Sequence, residues 1–342
     1  MGDSVVGIIA NPASGKDIRR LVAHGTVFDN EEKVSIVRRI LLSCHAAGVG
    51  AILYMPDYYR IVERAHEGIR TRYGFSLPLD PLPMTLTGLP EDTATAARLM
   101  AARDPGCIVT LGGDGTNRLV AGECGTIPLL PISTGTNNVF PEMVEATIAG
   151  LAAGIVAGGH ASSDAVYRAK RLAVIRNGET AAIALVDAIV LEGVFVGAKA
   201  MWDTDNLRQA VLTRCQPADI GMAAIGGGLH PVSHREPGGL SIVFAPERAD
   251  MVAAIAPGLI CPVGIESFAP IPMGTAIPIQ RTPCVIALDG EREVTLAAED
   301  KGLIRLEETG PRVVDIGQAL AGAQQRGFFT DRNRASRFQP WI

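Results

Sequence analysis

At 342 residues the chain is too long for one small module and about the length of two ordinary domains. Hydrophobic residues make up 47% and charged residues 20%, enough burial to offset the ordering entropy, so wholesale disorder is excluded. The 31 Lys and Arg against 36 Asp and Glu give a net charge of −5, without the basic excess of a nucleic-acid binder.

The first residues carry no basic region leading into a long apolar run, and no stretch reaches about 18 uninterrupted apolar residues, so a cytoplasmic protein without stable membrane association is expected. The cysteines (Cys44, Cys107, Cys124, Cys215, Cys261, Cys284) lie far apart with no CxxC pair, which predicts neither disulfides nor a zinc site. From residue 5 to about 157, short apolar runs alternate with longer amphipathic ones, the rhythm of βα units around a parallel sheet. Strands are expected at 5–10, 49–55, 82–87, 107–111 and 127–132. Helices are expected at 31–47, where Val34, Val37 and Leu41 recur at helical spacing, at 56–72 behind Pro56, at 90–103 behind Pro90, and at 143–157. Beyond Gly158-Gly159 the pattern turns mostly β. The expected organisation is an α/β domain over 1–157, a β-rich, sandwich-like domain over 158–330 and a polar tail over 331–342. Pro and Gly crowd 226–239 and 257–278, predicting short strands and loops there, with Gly226-Gly227-Gly228 in a flexible loop. Two strands are expected in 302–316 and a helix at 316–326.

Three loops carry chemistry. Gly112-Gly113-Asp114-Gly115-Thr116 follows the fourth strand and opens a helical run, which gathers backbone N–H groups and a helix N-terminus at one spot suited to an anion. Glycines there admit a close phosphate or a positive φ. Asp114 would repel phosphate unless it faced a metal ion or an acceptor hydroxyl, so it is the catalytic candidate; the alternative is a tight turn with Asp114 as a helix cap. Asn11-Pro12-Ala13-Ser14-Gly15-Lys16 follows the first strand and offers amide, hydroxyl and cation, without Walker A or dinucleotide-fingerprint spacing. Ser133-Thr134-Gly135-Thr136-Asn137-Asn138 follows the fifth strand and adds hydroxyls and amides for a nucleotide. Each lies at the carboxyl end of an expected parallel strand, so the fold should bring them to one rim.

NPASGK, then GGDGT, then GTNN resembles the superfamily of NAD kinases, diacylglycerol kinases and sphingosine kinases, and ISTGTNNVFPEM with ILYMPD is similar to the ATP-NAD kinase-like AcoX proteins of acetoin catabolism. The resemblance implies a nucleotide-binding α/β domain followed by a β-rich domain, with ATP and Mg²⁺ used to phosphorylate a hydroxyl of a small-molecule acceptor, NAD(H) among the candidates, in a chain that assembles as a homo-oligomer. It implies that Asp114 is the catalytic aspartate. Asn11, Ser14, Gly15, Lys16, Gly112, Gly113, Gly115, Thr116, Thr134, Gly135, Thr136, Asn137 and Asn138 would hold the nucleotide, with no direct metal ligand. NAD kinases carry an Asn-acid pair at the start of the β-rich domain. Here Ala184-Leu185-Val186-Asp187 keeps the acid and replaces the amide by Val186, which counts against NAD as acceptor. Leu288-Asp289-Gly290-Glu291 matches the superfamily's Asp-Gly-acid turn, so Asp187, Asp289 and Glu291 are acceptor-side candidates; Asp289-Gly290 also reads as a type I′ hairpin turn.

The expected activity is therefore a kinase acting on an alcohol. With an ordinary carboxylate pKa near ~4, Asp114 would accept a proton only late in the reaction, so orientation of the hydroxyl is its expected role. The alternatives are a soluble lipid kinase and a nucleotide-binding regulator without transfer activity.

Overall fold

The computed structural model describes residues 4–15, 28–73, 75, 77–135, 137–193 and 204–331. The first half comprises β1 (Val5–Ala10), α1 (Asn30–Ala47), β2 (Ala51–Tyr54), α2 (Ile61–Tyr73), β3 (Leu79–Pro81), α3 (Glu91–Ala101), β4 (Cys107–Gly112), α4 (Asp114–Glu123), β5 (Leu129–Ser133) and α5 (Ala146–Ala157). After it come β6 (Val166–Arg168), β7 (Arg171–Arg176), β8 (Glu179–Ala184), β9 (Asp187–Glu192), β10 (Leu207–Leu212), α6 (Met222–Leu229), β11 (Gly239–Phe244), β12 (Met251–Ala256), β13 (Leu259–Val263), β14 (Ile265–Ile271), β15 (Ala276–Pro278), β16 (Cys284–Leu288), β17 (Glu291–Leu296), β18 (Gly302–Glu307), β19 (Arg312–Val314) and α7 (Ile316–Gln325).

β1, β4 and β5 are near-continuous apolar runs because a parallel strand is covered on both faces. Val37, Ile40 and Leu41 of α1 and Ala149 and Ala153 of α5 pack on one face, with α2; Ala96, Met100 and Val120 of α3 and α4 pack on the other. Asp29 caps α1 by accepting from the Glu32 amide at 2.8 Å. The glycines of α5 let it lie against α1: a Cβ at Gly150 would come within 2.9 Å of Ile40 Cα, and one at Gly154 within 2.4 Å of Ala47 Cβ.

The sheet order is β3-β2-β1-β4-β5-β19-β6. β19 pairs parallel to β5 and antiparallel to β6, so the chain returns to the first layer after building the second domain, and α7 packs there with α5. The linear boundary at 157/158 thus leaves out β6, β19 and α7, whose partners are distant in sequence. The second domain is antiparallel. A six-stranded sheet, β14-β11-β10-β9-β16-β17, faces a four-stranded one, β15-β18-β7-β8, across a core that includes Leu172, Val174, Val190, Val211 and Ile286. The alternate residues Ile189, Leu191 and Leu212 point the other way, toward α6 and the β12–β13 hairpin. Phe140, Ala169, Leu185, Val186 and Val313 form the seam between the domains.

Three expected elements differ. The edge strand is Leu79–Pro81 and not 82–87, because Pro83 has no N–H and the ladder ends once Leu82 N has bonded Tyr54 O. α2 starts at Ile61 and not at 56, since Asp57 accepts from the Tyr59 and Ile61 amides and holds a turn ahead of it. Gly226–Gly228 lies in α6 and not in a loop. A Cβ at Gly226 would stand 2.3 Å from Leu212 Cδ1, and one at Gly227 2.1 Å from the Gln216 carbonyl carbon, so these glycines serve close packing. No described helix is long and apolar enough to cross a membrane.

Candidate active site

β1 and β4 flank the switch point of the sheet, where successive connections run in opposite directions and leave a crevice outside the carboxyl ends of the strands. Asn11 stands at the end of β1 and Gly112–Thr116 at the end of β4, and Asn11 Nδ2 donates to Thr116 Oγ1 at 2.9 Å. Ser14 Oγ and Thr134 Oγ1 lie 2.8 Å apart, and Asn138 Nδ2 donates to Ser133 Oγ at 2.8 Å. The three loops therefore meet. Lys16 and Thr136, two of the expected nucleotide ligands, lie outside the described residues.

The glycines of the central turn answer to close approach. A Cβ at Gly112 would be 2.5 Å from Thr116 Cβ, at Gly113 2.7 Å from Asn138 Oδ1, and at Gly115 2.6 Å from Glu291 Oε1. Only Gly15, in the first loop, needs a left-handed backbone, with φ +71° and Thr134 O where a Cβ would sit. Beneath the first loop the buried ammonium of Lys33 donates to Asn11 O at 2.8 Å, Ser14 O at 2.7 Å and Asn30 Oδ1 at 3.1 Å.

Asp114 is the first residue of α4, with Gly113 as its cap. Its side chain does not cap its own helix. Oδ1 accepts from Phe140 N at 2.8 Å and both oxygens from Val139 N at 3.1–3.2 Å, which ties α4 to the loop after β5. Burial, reinforced by the charge of Asp289, raises its pKa to about 7, against the amide hydrogen bonds and Arg214. The ordinary value expected from sequence is thereby corrected: at neutral pH Asp114 is poised between its two forms.

Asp289 and Gly290 both have positive φ, 51° and 81°, as a type I′ turn requires, so the hairpin reading holds. The same Asp289 is also buried at the site. Its carboxylate accepts from the amides of Leu185, Val186 and Asp187 at 2.8–3.2 Å, and Arg118 Nε lies 3.7 Å away. Burial raises its pKa to about 6 despite those amides and Arg118. Arg118 continues to Glu291 Oε2 at 2.9 Å. Val186, in the position of the missing amide, turns its side chain into the apolar seam.

Three cavities open here. One of about 50 Å³ lies between Asp114, Asp187 and Asp289, closed by Asn137, Ile189 and Met222. A second, of about 90 Å³, joins Asn11 and Pro12 to Tyr58, Leu86 and Leu89. The third, of about 530 Å³, lies beyond Val139, bounded by Ser133 and Asn138 on one domain and by Arg214, Gln216 and His234 on the other.

A family model of the ATP-NAD kinase N-terminal domain matches residues 6–161, and one of the acetoin catabolism protein X C-terminal domain matches residues 170–309. Acetoin catabolism protein X of Cupriavidus necator is 40% identical over 330 residues, 93% of this chain and 92% of that protein. The chain belongs to the acetoin catabolism protein X family. Among solved structures, yeast NADH kinase complexed with NADH shares its fold at a TM-score of 0.51 and 14% identity, over 96% of this chain and 88% of that one.

Sequence reasoning passed over three residues of this family member's site. Lys33 shares the apolar face of α1 with Val37 and Ile40, and a lysine in that register was the available signal. Arg118 stands one turn after Asp114 on α4. Arg214 had no local signal, because its position depends on how the second domain docks.

Proposed function

We propose that this chain transfers the γ-phosphoryl group of ATP to a hydroxyl of a small acceptor, with Asp114 at the point of transfer. The carrying observation is the meeting of Asn11, Thr116, Ser14 and Thr134 on one rim, with a buried, high-pKa aspartate directly behind it. The apolar slot of Tyr58, Leu86 and Leu89 beside Pro12 suits a flat base, and from there a triphosphate would run over the amides and hydroxyls of the three loops.

Among the described residues no cluster of three His, Cys, Asp or Glu side chains could hold a metal ion. That fits Mg²⁺ carried in on the nucleotide, since that ion keeps several waters and takes most other ligands from phosphates. Bound to the triphosphate, Mg²⁺ supplies charge neutralisation. The chain's own part is positioning: Lys33 stiffens the first loop, the Val139 and Phe140 amides fix the Asp114 carboxylate, and Asp289 fixes the turn that carries Asp187. As the hydroxyl oxygen bonds to the γ-phosphorus and the bond to the β-phosphate oxygen breaks, the hydroxyl proton passes to Asp114 and ADP leaves. With its pKa near 7, Asp114 accepts that proton far more readily than an ordinary aspartate.

A coupled ADP-release assay over hydroxylated acceptors, NAD and NADH included, combined with calorimetric titration of ADP, tests this reading. ADP binding with acceptor-dependent release supports it. Binding without turnover on any acceptor favours a regulator, and absence of binding removes the kinase reading altogether.

A further inference from the structure

The large cavity beyond Val139 holds a charge that the transfer step leaves unused. Arg214 is 8% exposed, and its Nε and Nη2 have no hydrogen-bond acceptor and no carboxylate partner among the described residues. Asp114 and Asp219 act on this guanidinium from a distance and the Tyr167 hydroxyl bonds it, but no carboxylate among the described residues pairs with it directly, so Nε and Nη2 are desolvated without an acceptor. Its plane is held over the Phe140 ring, 4.9 Å from the centroid, so the group is fixed. The cavity wall carries Arg214 and His234 together with the carboxylates of Glu142 and Asp219. Lys170, spent on the carbonyls of Ser233, Glu236 and Gly238, lies close enough for Arg214 to help lower its pKa to about 8, behind the effect of burial. Burial and then Arg214 also hold the His234 imidazole below its usual range.

We propose that this cavity binds the anionic end of the acceptor, a phosphate or carboxylate group paired with Arg214. The acceptor class is then a small hydroxylated compound bearing an oxyanion, such as a polyol phosphate or a hydroxy acid. At about 530 Å³ the cavity has the size of small-molecule sites. The carboxylates of Glu142 and Asp219, which also line it, suit the hydroxyls of such a molecule as hydrogen-bond acceptors. Position supports the assignment too. Phe140 stacks on Arg214 through its ring and donates to Asp114 through its backbone, so one residue links the anion anchor to the reacting carboxylate. Guanidinium geometry also favours a two-point contact with a phosphate or carboxylate, which an ammonium cannot reproduce.

This inference rests on the kinase reading for the word acceptor; the anion site itself stands without it, and the experiment separates the two. Wild type, Arg214→Gln and Arg214→Lys are titrated at constant ionic strength with inorganic phosphate and with citrate, each with and without saturating ADP. ADP affinity is measured in parallel. Expected are anion binding that persists when ADP fills the nucleotide loops, a loss of tenfold or more in Arg214→Gln, an intermediate loss in Arg214→Lys, and unchanged ADP affinity in both. Equal anion binding in wild type and Arg214→Gln, or anion binding abolished by ADP, overturns the proposal while leaving the kinase reading in place. Failure of ADP to bind, with Arg214-dependent anion binding intact, removes the kinase reading and keeps the site. Should Arg214→Gln fold poorly, NMR titration of His234 in the wild type decides: phosphate raises its pKa if the anion sits on Arg214, and an unchanged His234 overturns the assignment.

Discussion

Asp114 and Asp289 face the same small cavity from opposite domains, each accepting backbone amides from a connecting segment, and the charge of Asp289 adds to burial in raising Asp114 to about 7. Neither carboxylate can be changed without altering the titration of the other.

The pH dependence of transfer follows. If ionised Asp114 takes the hydroxyl proton, kcat/KM should rise with pH through a midpoint near 7 and then level off. Asp289→Asn removes the neighbouring charge and should move that midpoint down, at a stability cost because an amide NH₂ would face one of the three N–H donors. Asp114→Asn should abolish transfer and leave ADP affinity within a fewfold of wild type. The pH profiles of the three proteins check this, and a midpoint unmoved in Asp289→Asn would break the link between the two aspartates.

Stability should carry the same signature. Folded Asp114 holds a proton that the unfolded chain has already released between pH 3.8 and about 7. Its favourable contribution is therefore complete below 3.8 and is lost as pH rises through 7. Asp114→Asn cannot lose it. From pH 5 to pH 8 the variant should gain on the wild type by at least about 1 kcal/mol, roughly one pKa unit's worth, in urea unfolding.

Much of this was legible locally. β1, β4 and β5 could be read because a strand buried on both faces is an unbroken apolar run, and the three loops because glycine, hydroxyl and amide residues cluster directly after such runs. What escaped was set by long-range pairing. Three residues of β19 cross to β5 some 180 positions earlier in the chain, and no local pattern specifies that. Gly226–Gly228 reads as a loop until the Gln216 backbone is found against it. Asp289 was weighed as turn or acid, and it is both, because the turn conformation delivers the carboxylate to the amides of residues 185–187.

The buried Lys33 should prove structural and functional together. Lys33→Met keeps the aliphatic volume but strands the carbonyls of Asn11 and Ser14, a cost of about 1–3 kcal/mol. The first loop loses its anchor, so ADP affinity should drop by tenfold or more. Denaturant unfolding and ADP titration measure the two effects, and a destabilised variant with unchanged ADP affinity would detach Lys33 from the nucleotide site.

Two glycine substitutions should separate packing from chemistry. Gly150→Ala pushes a Cβ against the backbone of Ile40, which cannot yield without moving α5 off α1. It should cost about 1–3 kcal/mol. If the packed core buffers the distant loops, kcat per folded molecule should survive. Gly115→Ala meets only the carboxylate end of Glu291, a flexible group that can swing away, so stability should change little. Moving Glu291 nevertheless breaks its 2.9 Å pair with Arg118, and Arg118 in turn stands 3.7 Å from Asp289. Gly115→Ala should therefore lower kcat at nearly constant Tm, the opposite pattern to Gly150→Ala. Measuring kcat and Tm on both proteins checks the pair, and a Gly115→Ala enzyme with wild-type turnover would show that the Glu291–Arg118–Asp289 chain does not reach the reacting carboxylate.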